Sequence, residues 1–206
     1  MKKIACAALL FPLLLALGGC FGGYYYPPRT AVNTVGIVKV PLAECPTAGD
    51  YEVVYSFEKE TNNEWWKKME RGGRIFRRST GYLIETEFLG KPYYVYESDD
   101  GRMQITSALD LRETVAKFRP PKAILGIAAF QQRLKGKDFL VVYVRQKAST
   151  HSSTLLIFDD KFQIVYQDHL LGALEIGHTD DKIVVKSDDY AFPMGQINGD
   201  WVYFIP

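Results

Sequence analysis

Phe139-Leu140-Val141-Val142-Tyr143-Val144 runs through six apolar residues without a polar interruption. A strand with one wet face alternates apolar and polar side chains. A short run that does not alternate, rich in β-branched and aromatic residues, reads as a strand covered on both faces. Residues 139–144 are therefore predicted to form a strand buried on both faces.

The neighbourhood repeats. Leu125-Gly126-Ile127-Ala128 precedes Asp138-Phe139-Leu140-Val141-Val142-Tyr143. Leu174-Glu175-Ile176-Gly177 precedes Asp181-Lys182-Ile183-Val184-Val185-Lys186. Asp138 and Asp181 are 43 positions apart, and a further strand pattern follows each, at 154–158 and 201–205. A period of this length resembles the blades of a β-propeller. Two units do not close such a ring, which takes at least about four blades. The repeat therefore reads as successive antiparallel hairpins. It also bears on residues 123–134, which read two ways: Ile127, Phe130 and Leu134 suit a helix face, and Ala123-Ile124-Leu125-Gly126-Ile127 suits a buried strand.

Further strand patterns lie at 35–40, closed by Pro41, and at 51–57, 81–89, 91–97 and 103–106. Gly90 divides one pair. Asp99-Asp100-Gly101 divides the next, because Asp-Gly tolerates the positive φ of a tight hairpin turn. One helix is expected at 107–118. Ser107 and Asp110 have capping-box spacing, Ala108, Leu111, Val115 and Phe118 recur at helical intervals, and Pro120-Pro121 stops the run. The fold class is mainly β (α+β): antiparallel hairpins in a sandwich or open sheet with one or two short helices, or propeller-blade-like repeats as the alternative.

The chain has 206 residues, is 47% hydrophobic and holds 13 Tyr and 12 Phe, a composition that suits a globular, strand-rich protein. Its three His are His151, His169 and His178. Asp168-His169 and His178-Thr179-Asp180-Asp181 place carboxylates beside imidazoles, but no zinc-type ligand spacing occurs. A hydrolytic site using these His and Asp residues is one reading, and solvated turns are the other. No Gly-x-Ser-x-Gly elbow and no phosphate-cradling glycine loop is present. The acid pairs at 99–100, 159–160 and 188–189 fall at apparent turns. Neither a metal nor a catalytic residue is assigned.

Residues 65–78 are the local charge anomaly. Trp65-Trp66 leads into Lys67, Lys68, Arg71, Arg74, Arg77 and Arg78, with Glu70 as the single acid. The segment suits anionic lipid headgroups or an acidic partner. The preferred reading is a cationic solvated face laid over apolar rings. Strand alternation within 74–78 would split its charges between two faces.

The N-terminus bears on location. Lys2-Lys3 precedes an uncharged apolar run at 4–17, too short for a comfortable bilayer span but right for the core of a secretory leader. Leu17-Gly18-Gly19-Cys20 follows. Charge, apolar run and this tetrapeptide together resemble the signal and lipobox of bacterial lipoproteins. The resemblance implies removal of residues 1–19 and lipidation of Cys20, with several acyl chains giving durable attachment. An Asp after the Cys would resemble the inner-membrane retention signal of enterobacterial lipoproteins. Phe21 stands there, so the resemblance implies the outer membrane.

Residues 20–34, with Tyr24-Tyr25-Tyr26 and Pro27-Pro28, read as a tether, and 35–206 as one β-rich domain. The tether tyrosines either sit at headgroup level or belong to a plain spacer. Lys2 and Lys3 leave with the leader, so 25 basic residues become 23 against 24 acidic ones, a balance of −1 over 187 residues. Such a balance gives no field toward nucleic acid. Cys6 leaves and Cys20 is lipidated, so Cys45 is alone and is expected to be buried or to pair with another chain. The expected role is non-catalytic binding or scaffolding of envelope proteins, held to the membrane by the lipid on Cys20, without a small-molecule cofactor. The alternatives are an envelope hydrolase and polyanion binding through residues 65–78.

Overall fold

The structure, a computed structural model, describes residues 32–56, 83–98, 101–107, 113–119, 124–146, 153–170, 173–187 and 199–206. Among them are thirteen strands in three antiparallel sheets and two short 3-10 turns. The central sheet is a meander of β7 (Ile124–Leu134), β8 (Lys137–Gln146), β9 (Ser153–Phe158) and β10 (Ile164–Leu170), in the order β10-β9-β8-β7. On one face lies a second meander: β3 (Leu83–Phe88), β4 (Lys91–Glu97), β5 (Met103–Ser107) and β6 (Thr114–Phe118). On the other lies a five-stranded sheet whose strands are β1 (Val38–Pro41), β2 (Glu52–Ser56), β11 (Ala173–His178), β12 (Ile183–Ser187) and β13 (Trp201–Phe204). Its order is β1-β13-β12-β11-β2.

The run 139–144 is the reason for three layers. Phe139, Val141 and Tyr143 enter the apolar cluster shared with the five-stranded sheet, while Leu140, Val142 and Val144 enter the cluster shared with the β3–β6 meander. Strand β9 divides likewise, with Leu155 and Ile157 on one side and Leu156 and Phe158 on the other. Successive side chains point to opposite faces, so only an unbroken apolar run satisfies a sheet packed on both sides. The repeat units are hairpins, as their pattern implies. The β7–β8 hairpin belongs to the central sheet and the β11–β12 hairpin to the sheet facing it. The three sheets among the described residues fall short of the roughly four blades that a propeller ring needs.

Turn chemistry follows the sequence. Leu89-Gly90 has φ of 52° and 72°, and Lys135-Gly136 has 48° and 76°. Two-residue connections with both φ values positive match the right-handed twist of the strands they join. Gly101 sits at φ 71°, and Ser98 and Arg102 close the β4–β5 hairpin through a 2.8 Å backbone hydrogen bond.

Two features differ from the sequence reading. The helix expected at 107–118 is not formed: Ser107 ends β5, and Thr114–Phe118 is β6, paired antiparallel with β5. Residues 108–112, at the centre of that expectation, lie outside the described ones. Val115, Ala116 and Phe118 pack on the apolar cluster beneath, where tertiary burial outweighs a modest helical preference. Residues 32–34, read as the end of the tether, run along the free edge of β10. Thr34 donates to the Val165 carbonyl at 2.9 Å, and Gln167 donates to that of Val32 at 3.0 Å. Among the described residues no helix is long and apolar enough to cross a membrane.

Candidate functional site

The polar cluster most completely defined lies where β1, β10 and β13 meet. In the β1–β13 register Lys39 stands opposite Tyr203 and Pro41 opposite Trp201, so their side chains share the inner face. Asp168 reaches that face from β10. Lys39 Nζ lies 2.8 Å from Asp168 Oδ2, and the Tyr203 hydroxyl donates to the same oxygen at 2.9 Å. The ammonium also lies 4.5 Å from the Trp201 ring centre and 5.7 Å from that of Tyr203, within cation–π range. Tyr166 meets Tyr203 edge to face at 5.9 Å.

Burial first, and then the charge of Asp168, pushes the Tyr203 and Tyr166 hydroxyls well above the usual tyrosine range. Both are therefore neutral at any ordinary pH, and Tyr203 acts as a hydrogen-bond donor. A lysine, a carboxylate and a phenol that satisfy one another form a clasp between two sheets. They do not form a nucleophile with its base.

A second polar group gathers at one end of the central sheet. Tyr143 and Ser153 hydroxyls are 2.8 Å apart on one face. On the other, Gln146 Nε2 donates to Thr154 Oγ1 at 3.1 Å, and that hydroxyl lies 3.2 Å from His169 Nδ1. Alternation along β10 explains why Asp168 and His169, adjacent in sequence, serve different layers: Asp168 opposes Leu155 and His169 opposes Thr154. The hydrolytic reading, which set that imidazole beside that carboxylate, gains no support from these positions.

His178 ends β11 in another sheet. It stacks on Phe130 with ring centres 5.2 Å apart, and its Nε2 is 4.0 Å from a carboxylate oxygen of Glu52, whose side chain is 81% exposed. His151 lies outside the described residues. The histidine–aspartate site is thus not assembled from His169 and His178, which belong to separate sheets. No group of three or more His, Cys, Asp or Glu positioned for a metal occurs among the described residues.

Cys20, Trp65, Trp66, Lys67, Lys68, Arg71, Arg74, Arg77 and Arg78 lie outside the described residues too. Cys45 is half-buried between the two 3-10 turns, Leu42–Glu44 and Pro46–Ala48, against a small cluster with Ala48, Val184 and Val202. It falls short of the full burial that one of its two expectations required.

Sequence reasoning missed Lys39 and Tyr203 and placed Asp168 beside His169 instead of with them. A Lys between two valines at the start of a domain reads as a solvent-facing residue of an edge strand. Strand β10 shows only a broken apolar pattern, Ile164-Val165-Tyr166 followed by Gln167-Asp168-His169. The one available signal was the alternation Trp201, Tyr203, which places two aromatic rings with polar tips on one strand face.

No family model matches the chain, and neither a curated protein nor a solved structure matches it.

Proposed function

We propose that the chain is a lipid-anchored lipoprotein of the bacterial envelope whose β domain binds or scaffolds other envelope components without catalysing a reaction. The observation that carries this reading is the ordered sequence of Lys2-Lys3, the apolar run 4–17 and Leu17-Gly18-Gly19-Cys20. Phe21 in place of Asp favours the outer membrane. The site geometry is compatible with a binding role. The polar side chains at the β1–β10–β13 junction are engaged with one another, and the two described histidines sit in different sheets.

The test is Cys20→Ala, compared with the unaltered chain by fatty-acid labelling and envelope fractionation. The variant is expected as an unlabelled, unprocessed or mislocalised precursor. Labelling and processing unchanged by the substitution would sink the anchor and the localisation with it.

A further inference from the structure

Residues 32–41 form a strap that is hydrogen-bonded to two sheets at once. Its first part runs antiparallel to β10, with Asn33 bridged to Tyr166 and backbone hydrogen bonds on either side. Asn33 then shapes the turn into β1. Its side-chain nitrogen donates to the Ile37 carbonyl at 2.7 Å, and its oxygen accepts from the Ile37 amide at 3.0 Å. Gly36 supplies the positive φ, 74°, that this turn uses. The second part, β1, pairs with β13 from Val38 opposite Phe204 to Pro41 opposite Trp201. Lys39, within β1, grips Asp168 of β10.

The strap is remote from its own chain neighbours. Strand β2, the next along the sequence, lies at the opposite edge of the five-stranded sheet. Residues 42–51 connect the two edges, passing over Val184 and Val202 on the outer face through two single-turn 3-10 elements. The strap is therefore a peripheral strand closed against the last strand of the chain, the most non-local pairing of the fold. Non-local pairings gain their contacts only after the loop-closure entropy has been met, so the strap is expected to dock after the meanders.

Undocked, it would leave two edges open at once: Val165 O and Gln167 N on β10, and the outer side of β13. Open edges of this kind template the addition of another strand. The segment that fits both edges in register is a second strap, and a second copy of the chain supplies one. Exchange of an identical element reproduces every native contact, so its cost is confined to opening the hinge. Here the hinge is a ten-residue connection with two short-range turns, which opening must also release from Asp200, bonded by the Leu42 amide, and from Val184 and Val202, on which Ala48 packs.

We infer that residues 32–41 are an exchangeable strap and that two copies of the chain trade it, each laying its strap on the β10 and β13 edges of the other. The trade forms no covalent bond and requires no third component.

Paired cysteines read the exchange directly. Val32 lies opposite Gln167 as a hydrogen-bonded pair beside the Asn33–Tyr166 bridge, where Cα atoms stand about 5.5 Å apart, within reach of a short bis-maleimide crosslinker between two introduced thiols. The full-length chain carrying Val32→Cys and Gln167→Cys together is expected to be bridged by that crosslinker within one copy in dilute solution. A mixture of chains carrying one substitution each is then treated with the same crosslinker at rising concentration, and the linked peptides are identified by mass. Exchange predicts a 32–167 link between copies that grows with concentration. It should exceed by several-fold the link from a collision control, Lys91→Cys mixed with Gln167→Cys. A cross-copy link no stronger than that control overturns the proposal. So does failure of the double variant to be bridged, since the register would then be wrong.

Discussion

Tyr203 on β13 donates its hydroxyl proton to Asp168 on β10 across 2.9 Å, to the same carboxylate oxygen that Lys39 holds at 2.8 Å. One side-chain oxygen thus ties the central sheet to both the last strand of the chain and the first. Asp168→Ala leaves the Tyr203 hydroxyl without this acceptor and Lys39 without this counter-ion. Hydrogen bonds to charged groups contribute about 1.5–3 kcal/mol, and partial exposure of this pair places the expected loss near the lower end. Urea unfolding measures it. A loss below about 0.5 kcal/mol, the range of ordinary surface changes, would show that the clasp does not hold the sheets together.

Alkali should unfold the protein by a definable route. Tyr203, Tyr166 and Tyr51 are all raised above the ordinary tyrosine pKa, foremost by burial and then by Asp168 in the first two cases and Glu175 in the third. Below about pH 10, the ordinary value, folded and unfolded chains are both protonated, so the stabilisation these groups give is whole. Above it the unfolded chain ionises while the fold holds its protons, and stability falls with each further rise in pH. Tyrosinate absorbance followed through an alkaline titration should therefore show late groups that appear together with loss of the β-sheet signal. Smooth ionisation of every tyrosine in an intact fold would contradict it.

Gly177 should tolerate no side chain. A Cβ there would stand 2.2 Å from the Glu52 carbonyl oxygen and 2.5 Å from Tyr51 Cδ2, where β2 departs from regular register against β11. Backbone on one side and a ring hydrogen-bonded to Glu175 on the other leave little room to give. Overpacking of this kind typically costs about 1–3 kcal/mol, so Gly177→Ala should lower the melting temperature clearly. Gly136→Ala meets no atom within 4 Å but is strained at φ 76°, which makes it a control for backbone strain without collision.

Adjacent residues of β8 should both be costly to truncate. Phe139 is 3% exposed and Leu140 fully buried, on opposite faces of the central sheet. Phe139→Ala should cost about 3–5 kcal/mol and Leu140→Ala about 2–5 kcal/mol. In a sheet with one wet face, only one of two successive positions would respond so strongly. Denaturant midpoints that differ widely between the two variants would argue against a layer on each side.

Local patterning alone determined the β character, the doubly buried strand at 139–144, the Gly90 and Gly101 turns and the hairpin nature of the repeat. Each depends on side-chain period or on the φ that a single residue allows, and both are properties of a few neighbouring positions. Only the tertiary structure decided that Thr114–Phe118 is a strand, because the spacing of Val115 and Phe118 permits a helix until β5 and the core beneath it select pairing. It alone turned Lys39 inward, since the direction of an edge-strand lysine depends on whether a carboxylate stands 129 residues away. It alone sent Asp168 and His169 to different layers, separating a pair that looks like chemistry in one dimension. A sequence records which face a residue occupies far better than what lies across from that face, because the partners come from parts of the chain that no local window joins.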